Sequence, residues 1–501
     1  MSDYEAVVIG AGNGGLTAAA TLARSGVKTL LLERHNIPGG CATSFVRGRF
    51  EFEVALHQLS GIGTEGFAGP LRGTLADLGV LDHIELVQME NLYRIVYPGR
   101  MDITLKADRT AAVAELKAHF PAETDKIERY FDFLFAYCTE WLNVMIMRDP
   151  ESSPRKYPLY FKYALKPTAA VFDEFSFTPL LQTALNIYWS YMGMPPSLLP
   201  FGDFALLMWV YLEFKPWHIK GGSQALSSAL LNAFYTAGGE ARFNCGAKKV
   251  LVTGNQITGV LTEDGDEIAT GRIVSNAGTY TTYVDLIESA HVPVERDREL
   301  GARSIGVSAF TLFMGFDKEP ADLDIHETTN FLVTSTDAEE AARMAKTLDP
   351  PQFTLFSCYD VEDPDFSPKG ASQAAFLTLN YGEPWTRIPP TRYFETKYRY
   401  AESLLKILYT VFPKCEAHVE EIDTATPLTH MRYLGHPGGA IYGFDQFARD
   451  SELFLNKKSP IKGLYHAGAW VGSGGFQPTL MSGVTAARSI VRSLNQAGGT
   501  A

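Results

Sequence analysis

The residues best suited to chemistry lie within the first 33 positions, where glycines recur at the spacing G-x-G-x-x-G. Gly10 permits a tight turn, Gly12 lets the backbone come close to a pyrophosphate, and Gly15 lets a helix pack closely on a strand. Asn13 and Gly14 lie at the start of that helix, whose free N–H groups and positive dipole end attract phosphate. The chemistry that this pattern predicts is the binding of a dinucleotide.

The elements that must position these glycines follow from the flanking sequence. The runs YEAVVIG and VKTLLLE predict two buried parallel strands, and LTAAATLARSG between them predicts a helix that ends at Gly26. The second strand ends at Glu33, an acid about 20 residues after the glycines that would bind the ribose hydroxyls and repel a 2′-phosphate. The alternative, a glycine-rich turn that binds nothing, is the less favoured interpretation.

A second pair of glycines follows at Gly39 and Gly40, in the run RHNIPGGC. The pair predicts another loop that comes close to the pyrophosphate, so Arg34 and Cys41 at its two ends are also assigned to the cofactor site. An acid, a short gap and a Gly-Gly pair resemble the flavoprotein family of phytoene desaturases, carotenoid isomerases, retinol saturases and amine oxidases. The resemblance implies FAD rather than NAD.

The far end of the chain resembles the same family. Residues 463–470 and the following VGSGGFQPTLMSGVTAARSIVRSL look like its C-terminal flavin motif of a strand, a glycine-rich loop and a final helix. A helix that starts near Pro478 would aim its positive end at the flavin and favour the anionic reduced form. The alternative is an ordinary C-terminal strand and helix. The resemblance adds these residues to the cofactor site: Gly468, Ala469, Gly475, Phe476, Pro478 and Thr479.

The C-terminal motif departs from the family at one position. Many relatives carry an acid where this chain has Ala469, which puts the contacts to the ribityl chain of the flavin in doubt. The segment contains no cysteine, so a covalent flavin–cysteine link there is excluded, and we predict non-covalent FAD. In relatives the strand that matches KKVLV brings its backbone to the adenine, which indicates Val250. A strand without any ligand contact is an equally good interpretation of that residue.

Two residues are candidates for catalysis. The segment FEFEVALHQLSG resembles one in retinol saturases, which implies that His57 faces the flavin or the substrate and exchanges protons there. A histidine bonded inside the core is the competing interpretation. A pattern from Thr426 to Gly443 also resembles the family and implies that Tyr442 lines the substrate side of the flavin. Arg432 pairs either with a phosphate or in a surface salt bridge, and no metal site is predicted.

The fold class predicted is α/β, a Rossmann-like FAD-binding domain with an inserted mixed α+β substrate domain. The FAD-binding domain is expected to comprise residues 1–99, 216–290 and 421–501, and the substrate regions residues 100–215 and 291–420. Aromatic residues concentrate in the first substrate region. They predict either plain core or a tunnel for a long apolar substrate, which would open at a membrane surface through the run 195–214.

Composition narrows the class of partner. The chain has 501 residues, is 46% hydrophobic and carries a net charge of -13, which disfavours nucleic acid because phosphate binding needs a basic face. Five scattered cysteines without a CxxC pair fit a reducing cytoplasm, and neither a secretion signal nor a spanning helix is predicted. We therefore expect a cytoplasmic protein, at most peripheral on the inner face of a membrane.

The function predicted is an FAD-dependent oxidoreductase that desaturates, saturates or isomerises a hydrophobic polyene or isoprenoid by hydride transfer at flavin N5. The electron partner stays open between a quinone, oxygen and NAD(P)H, because no second dinucleotide motif is convincing. A flavin amine oxidase is the first alternative. A binding protein like the Rab escort proteins is the second, although both ends of the flavin site look complete.

Overall fold

The computed structural model describes residues 3–450 and 458–498 of the chain. The two strands predicted near the start form where their apolar runs lie. In chain order the strands are β1 (Ala6–Ile9), β2 (Thr29–Leu32), β3 (Ser44–Arg47), β4 (Phe50–Glu53), β5 (Gly63–Thr64), β6 (Phe67–Ala68), β7 (Leu86–Gln88), β8 (Asn91–Tyr97), β9 (Met101–Lys106), β10 (Trp217–Ile219), β11 (Glu240–Arg242), β12 (Ala247–Thr253), β13 (Gln256–Thr262), β14 (Glu267–Ala269), β15 (Ile273–Ser275), β16 (Ser308–Phe316), β17 (Thr329–Val333), β18 (Phe353–Cys358), β19 (Ser372–Asn380), β20 (Val419–Ala425) and β21 (Leu464–His466).

Helices connect these strands and cover the sheets. The final helix begins two residues before Pro478, which lies in its first turn, a position that proline tolerates. In chain order the α-helices are α1 (Asn13–Arg24), α2 (Pro70–Asp77), α3 (Arg109–His119), α4 (Thr124–Trp141), α5 (Pro158–Tyr163), α6 (Thr168–Asp173), α7 (Pro179–Asn186), α8 (Trp189–Met192), α9 (Phe201–Phe214), α10 (Gly222–Thr236), α11 (Thr279–Thr281), α12 (Val294–Gly301), α13 (Ala338–Met344), α14 (Gly382–Thr386), α15 (Tyr393–Val411), α16 (Cys415–His418), α17 (Pro427–Leu434) and α18 (Phe476–Gly498).

A parallel sheet of five strands, in the order β11-β2-β1-β15-β21, forms the dinucleotide-binding half. β1 and β2 are buried at every position, as expected for central strands that are covered on both faces. α1 packs against α10 and α18, which come from distant parts of the chain. The parallel pairing confirms the predicted Rossmann-like fold.

A second sheet of seven strands, in the order β20-β16-β19-β18-β17-β8-β9, forms the other half. Its pairs are antiparallel except β17 with β8. Side chains alternate between two cores, so Leu355 packs with the helices of residues 109–214 and Phe356 packs with α15. Two boundaries predicted from the sequence cut this sheet, because 99/100 falls inside the β8–β9 hairpin and 420/421 falls inside β20.

The run 195–214, which the sequence left open between buried core and a membrane opening, lies largely inside the protein. α9 buries Phe201, Phe204 and Met208 completely in the aromatic core, because its helical neighbours and the seven-stranded sheet cover it. Leu198 is its one strongly exposed large apolar side chain. Among the described residues, none of the helices combines the length and apolarity that a membrane crossing requires.

Candidate active site

Two glycine loops meet at the carboxyl end of β1. The Gly39 N–H donates to the Ala11 carbonyl at 2.8 Å, and Gly39 pairs with Gly12 in an isolated bridge. Gly10, Gly39 and Gly40 all have positive φ angles, which side chains rarely tolerate. The two loops that the sequence predicted to share one ligand are therefore neighbours in space.

The helix that follows the first loop leaves its N-terminus open to a ligand. Gly12 is the N-cap residue and no side chain caps the helix there. The first turn, which includes Asn13 and Gly14, contains no acid. The amide groups of this turn are therefore free to bind an anion. At Gly15 a Cβ atom would overlap the Gly10 carbonyl oxygen, so this glycine is needed where the helix crosses the strand.

The Glu33 carboxylate is fixed at the end of β2 by backbone donors. It accepts from the Ala11 amide at 2.6 Å and from the His35 amide at 2.8 Å. Both bonds hold the side chain beside the first glycine loop, where it lines the cavity described below. This is the position that a ribose-binding acid requires.

The C-terminal segment closes the same site from the other end of the chain. The Gly468 amide donates to Ser482 of α18 at 2.8 Å, and the Thr17 hydroxyl of α1 donates to the Leu480 carbonyl at 2.8 Å. A Cβ at Gly483 would overlap the Gly14 carbonyl oxygen, so α1 and α18 touch at glycines. Two helices that are far apart in sequence thus start at one cavity, and their starting residues line it.

Asn276 occupies the centre of the glycine loops and was missed in the sequence. Its amide nitrogen lies 2.8 Å from the Cβ that Gly12 lacks, and its amide oxygen lies 2.7 Å and 2.6 Å from those that Gly14 and Gly468 lack. That oxygen is buried and, among the described residues, has no hydrogen-bond partner. The signal that identifies it is its place directly after β15, at the carboxyl edge of the parallel sheet where ligands bind.

One cavity of about 1690 Å³ connects these loops with a chamber between α9 and the seven-stranded sheet. The residues predicted for the cofactor that line it come from both ends of the chain, and they are Gly10, Gly12, Asn13, Gly14, Glu33, Arg34, Gly39, Gly40, Cys41, Gly468, Ala469, Gly475, Phe476, Pro478 and Thr479. The chamber walls carry apolar side chains, among them Leu206, Leu207, Val210, Phe353, Leu355, Leu377 and Leu379. A polar cleft thus continues into an apolar one.

The two residues proposed for catalysis both line this cavity. The ring of Tyr442 lies between Gly193 and Gly474, whose missing Cβ atoms would meet it at 3.2 Å and 2.6 Å. Burial raises the pKa of Tyr442 to about 12, so its hydroxyl keeps its proton at neutral pH. Burial lowers the pKa of His57 to about 4, and its Nδ1 lies 3.2 Å from the Tyr359 hydroxyl.

Three further residues of the predicted cofactor set have distinct surroundings. The Arg34 guanidinium donates to the Tyr433 carbonyl at 3.0 Å and thereby ties the second glycine loop to the end of α17. Burial raises the pKa of Cys41 to about 11, which keeps its thiol protonated. Val250 packs in the apolar core behind the cavity, and the cavity wall at the start of β12 consists of Gly246 and Ala247 instead.

Histidines of α17 and the following turn also face the cavity. Burial lowers the pKa of His430 and of His436 to about 4, and His436 packs edge-on against Trp470. Arg432 lines the cavity beside them and, within the described residues, forms no ion pair. The part of the chain that the structure describes contains no cluster of three metal-ligating side chains.

Comparison with known proteins shows to which family the chain belongs. Residues 14–491 match the family model described as Flavin containing amine oxidoreductase. The chain belongs to this family. It is 24% identical to the all-trans-retinol 13,14-reductase of Danio rerio, with 96% of this chain and 85% of that protein covered. It is also 24% identical to the chloroplastic prolycopene isomerase of Daucus carota, over 88% of this chain and 72% of that protein.

Two solved structures share the fold of this chain. An oxidoreductase from Methanosarcina mazei superposes with a TM-score of 0.65 at 17% identity, covering 97% of this chain and 99% of that one. Putrescine oxidase bound to putrescine gives a TM-score of 0.66 at 12% identity, covering 98% and 99%. The chain is thus a flavin oxidoreductase related to retinol reductases and carotenoid isomerases.

The residues of the polar cleft fit the flavin that the family carries. Two buried amide oxygens, those of Asn13 and Asn276, have no partner among the described residues and are available to a ligand. Glu33 is placed for the ribose, and the loops at Gly12 and Gly39 leave no room for side chains where a diphosphate would approach. These acceptor oxygens and the open helix N-termini match the hydroxyl and phosphate groups of such a molecule.

Proposed function

We propose that this flavoenzyme binds FAD non-covalently and uses it to desaturate, saturate or isomerise C–C bonds of a hydrophobic polyene or isoprenoid. The observation that carries the proposal is that a single cavity contains both the glycine loops and the apolar chamber. The names of two relatives, a retinol reductase and a prolycopene isomerase, describe reactions on such molecules.

The polar cleft divides into parts for each portion of FAD. Glu33 binds the ribose, the loops at Gly12 and Gly39 hold the pyrophosphate with the start of α1, and Gly246 with Ala247 flanks the adenine in place of Val250. The loop from Gly468 to Thr479 holds the flavin end. A protonated Cys41 is a poor nucleophile, which supports binding without a covalent link.

The apolar chamber supplies what a polyene needs from the protein. FAD, when bound, supplies a two-electron acceptor or donor for hydride. The polyene is held on one side by Leu206, Leu207 and Val210 of α9 and on the other by Leu377 and Leu379. This packing excludes water and orients one C–C bond. Tyr442 covers the substrate at the junction with the cleft.

The first experiment is mass analysis of products. The purified holoprotein, oxidised or chemically reduced, is incubated without oxygen with retinoids, phytoene-type carotenoids and unsaturated fatty acids, and free FAD serves as the control. Loss of two hydrogens identifies a desaturase, gain of two a saturase, and unchanged mass with shifted retention an isomerase. A flavin-bound protein that converts none of these substrates contradicts the proposal. Reoxidation by quinone, oxygen or NAD(P)⁺ then identifies the electron partner.

An amine oxidase is the second candidate, and one feature favours it. The rings of Tyr191, Tyr211 and Tyr442 surround one part of the cavity, and aromatic faces attract ammonium groups. Release of hydrogen peroxide with a panel of amines would establish this activity in place of the first. A colourless protein that binds isoprenoid chains without any flavin would favour a binding role.

A further inference from the structure

His57 is held on the chamber wall by a residue that lies behind it. Its Nδ1 is 3.2 Å from the hydroxyl of Tyr359, and the two rings stack 6.5 Å apart at 11°. Tyr359 is 1% exposed and does not reach the cavity. Its ring is enclosed in turn by His218 at 6.2 Å and Phe366 at 5.4 Å, so its hydroxyl has a fixed direction.

The hydrogen bond between them determines where the imidazole carries its proton. Among the described residues, the Tyr359 hydroxyl has no hydrogen-bond partner except His57. If Nδ1 carried the proton, the buried phenol hydrogen would lack an acceptor, which is unfavourable. Tyr359 therefore donates to Nδ1, and the proton of the neutral imidazole is on Nε2. Burial keeps the pKa of His57 near 4, so this neutral form is the one present at neutral pH.

The other polar groups beside His57 are bonded to one another. The Gln58 amide oxygen accepts from Tyr188 at 3.1 Å and from Tyr191 at 3.3 Å, and the Gln58 carbonyl accepts from Tyr211 at 3.2 Å. The hydroxyls of all three tyrosines are thus hydrogen-bonded, and Tyr191 and Tyr211 are the two that line the cavity. The Nε2–H of His57 has no hydrogen-bond partner among the described residues and is a free donor on a wall that is mostly apolar but also includes Asp203 and Tyr442.

We infer that His57 is a specificity-determining hydrogen-bond donor, oriented by Tyr359, which selects polyenes that carry an oxygen atom over hydrocarbons of the same shape. The inference rests on the proposed function and deepens it by naming the substrate class. A hydrocarbon would leave the N–H without a partner in a dry chamber, whereas a hydroxyl or carbonyl oxygen accepts it. Tyr359 is a positioning residue, because it acts only through His57.

The test is binding of a matched pair of ligands to the holoprotein. All-trans-retinol and axerophthene, the same polyene without its hydroxyl group, are titrated against it while polyene absorbance and tryptophan fluorescence are followed. We expect retinol to bind about tenfold more tightly, the ratio that one well-formed hydrogen bond gives. His57→Phe, which keeps a flat ring without a donor, should bind the two ligands within about twofold of each other.

A second measurement tests the positioning role without any ligand. In protein labelled with ¹⁵N-histidine, the His57 resonances, assigned by their loss in His57→Phe, should show the proton on Nε2. Tyr359→Phe should mix the two tautomers and reduce the preference for retinol, while the affinity for axerophthene stays the same. Tyr93→Phe is the matched control, since it removes a buried hydroxyl that donates only to the Ala184 carbonyl.

The outcomes separate this inference from the proposed function. Equal affinities for both ligands in the unmodified protein, or a proton on Nδ1, would overturn the inference and leave the polyene function standing. Failure of both ligands to bind, together with failure to convert any polyene, would overturn both. Loss of the preference in Tyr93→Phe as well would show a general packing effect and would also overturn the inference.

Discussion

The dinucleotide-binding half and the half built on the seven-stranded sheet, called the chamber half below, form their parts of the cavity from different atoms. In the first, backbone groups of glycine loops form the wall, and the Cβ atoms that are missing at Gly12, Gly14 and Gly468 leave the space that the ligand needs. In the second, side chains of α9 and of the seven-stranded sheet form the wall. A wall of backbone atoms requires glycine at these positions, whereas a wall of side chains can be formed by many combinations of apolar residues with a suitable total volume.

The largest effect should come from adding a side chain directly behind the backbone wall, where α1 packs against the Gly10 turn. Gly15→Val places atoms on the Gly10 carbonyl, and the resulting shift of loop and helix costs about 3 kcal/mol, so flavin binding should weaken ~100-fold or more. The flavin-to-protein ratio after gel filtration measures it. Gly73→Ala, in α2 with open space around it, is the control and should keep its flavin. Full flavin content in Gly15→Val would show that the loop is not a close-approach site.

A second comparison, of stability rather than flavin affinity, separates buried core from chamber wall within one helix. Phe204→Ala empties a fully buried site and should cost about 3–5 kcal/mol in the free energy of unfolding. Leu207→Ala, on the chamber wall, should cost roughly half as much and instead weaken polyene binding about tenfold. Urea unfolding and ligand titration of both variants make the comparison. Similar losses of stability in the two variants would mean that the chamber is packed core.

A smaller effect is expected from a side chain that accepts a hydrogen bond from the backbone wall. Glu33→Gln keeps the shape but removes the charge that accepts from Ala11 and would accept from the ribose, so FAD affinity should fall about tenfold. Fluorescence titration of the apoprotein with FAD measures the change. Glu240→Gln on the neighbouring strand, where the acid bonds to Tyr4 at the surface, should bind FAD normally. An unchanged affinity in Glu33→Gln would remove the ribose assignment.

The smallest effect concerns acid, and its size should differ between the two halves, because in the chamber half the stability gained through Asp360 offsets the stability lost through His57. Burial lowers the pKa of His436 to about 4 and that of His466 to about 3, so the unfolded chain binds more protons and the dinucleotide half loses stability as the pH falls below about 6.5. Burial raises the pKa of Asp360 in the chamber half to about 6, so the native state binds more protons there and gains stability as the pH falls from about 6 to 4.

Hydrogen-exchange protection factors measured at pH 7 and pH 5 test this difference. Protection of β1, β15 and β21 should fall at the lower pH, while protection of β18 and β19 should fall less, because Asp360 offsets His57 there. His466→Gln should reduce the loss in β21, since it removes one of the groups that must bind a proton on unfolding. A uniform loss of protection in both halves would contradict the assignment of these histidines to the acid response.

The contrast between the halves also explains what the sequence could predict. The glycine spacing and the acid at Glu33 form a local sequence pattern. The glycine loops and the parallel sheet could therefore be predicted from the first ~30 residues together with the C-terminal motif. Asn276 and Tyr359 depend on contacts across the fold, with Gly468 and His57 respectively, and no local pattern predicted them. The sequence left the run 195–214 open between buried core and a membrane opening, because an apolar helix has the same residue pattern whether other helices or lipid cover it.

The contact between α1 and α18 has a consequence for how the protein is made. The Thr17 hydroxyl and the Leu480 carbonyl that it binds are 463 residues apart in the chain. During synthesis the glycine loops at the start therefore emerge long before the helix that completes their site. The nascent chain thus has no closed pocket to retain the cofactor until α18 has been made, and flavin capture becomes an event that follows that step.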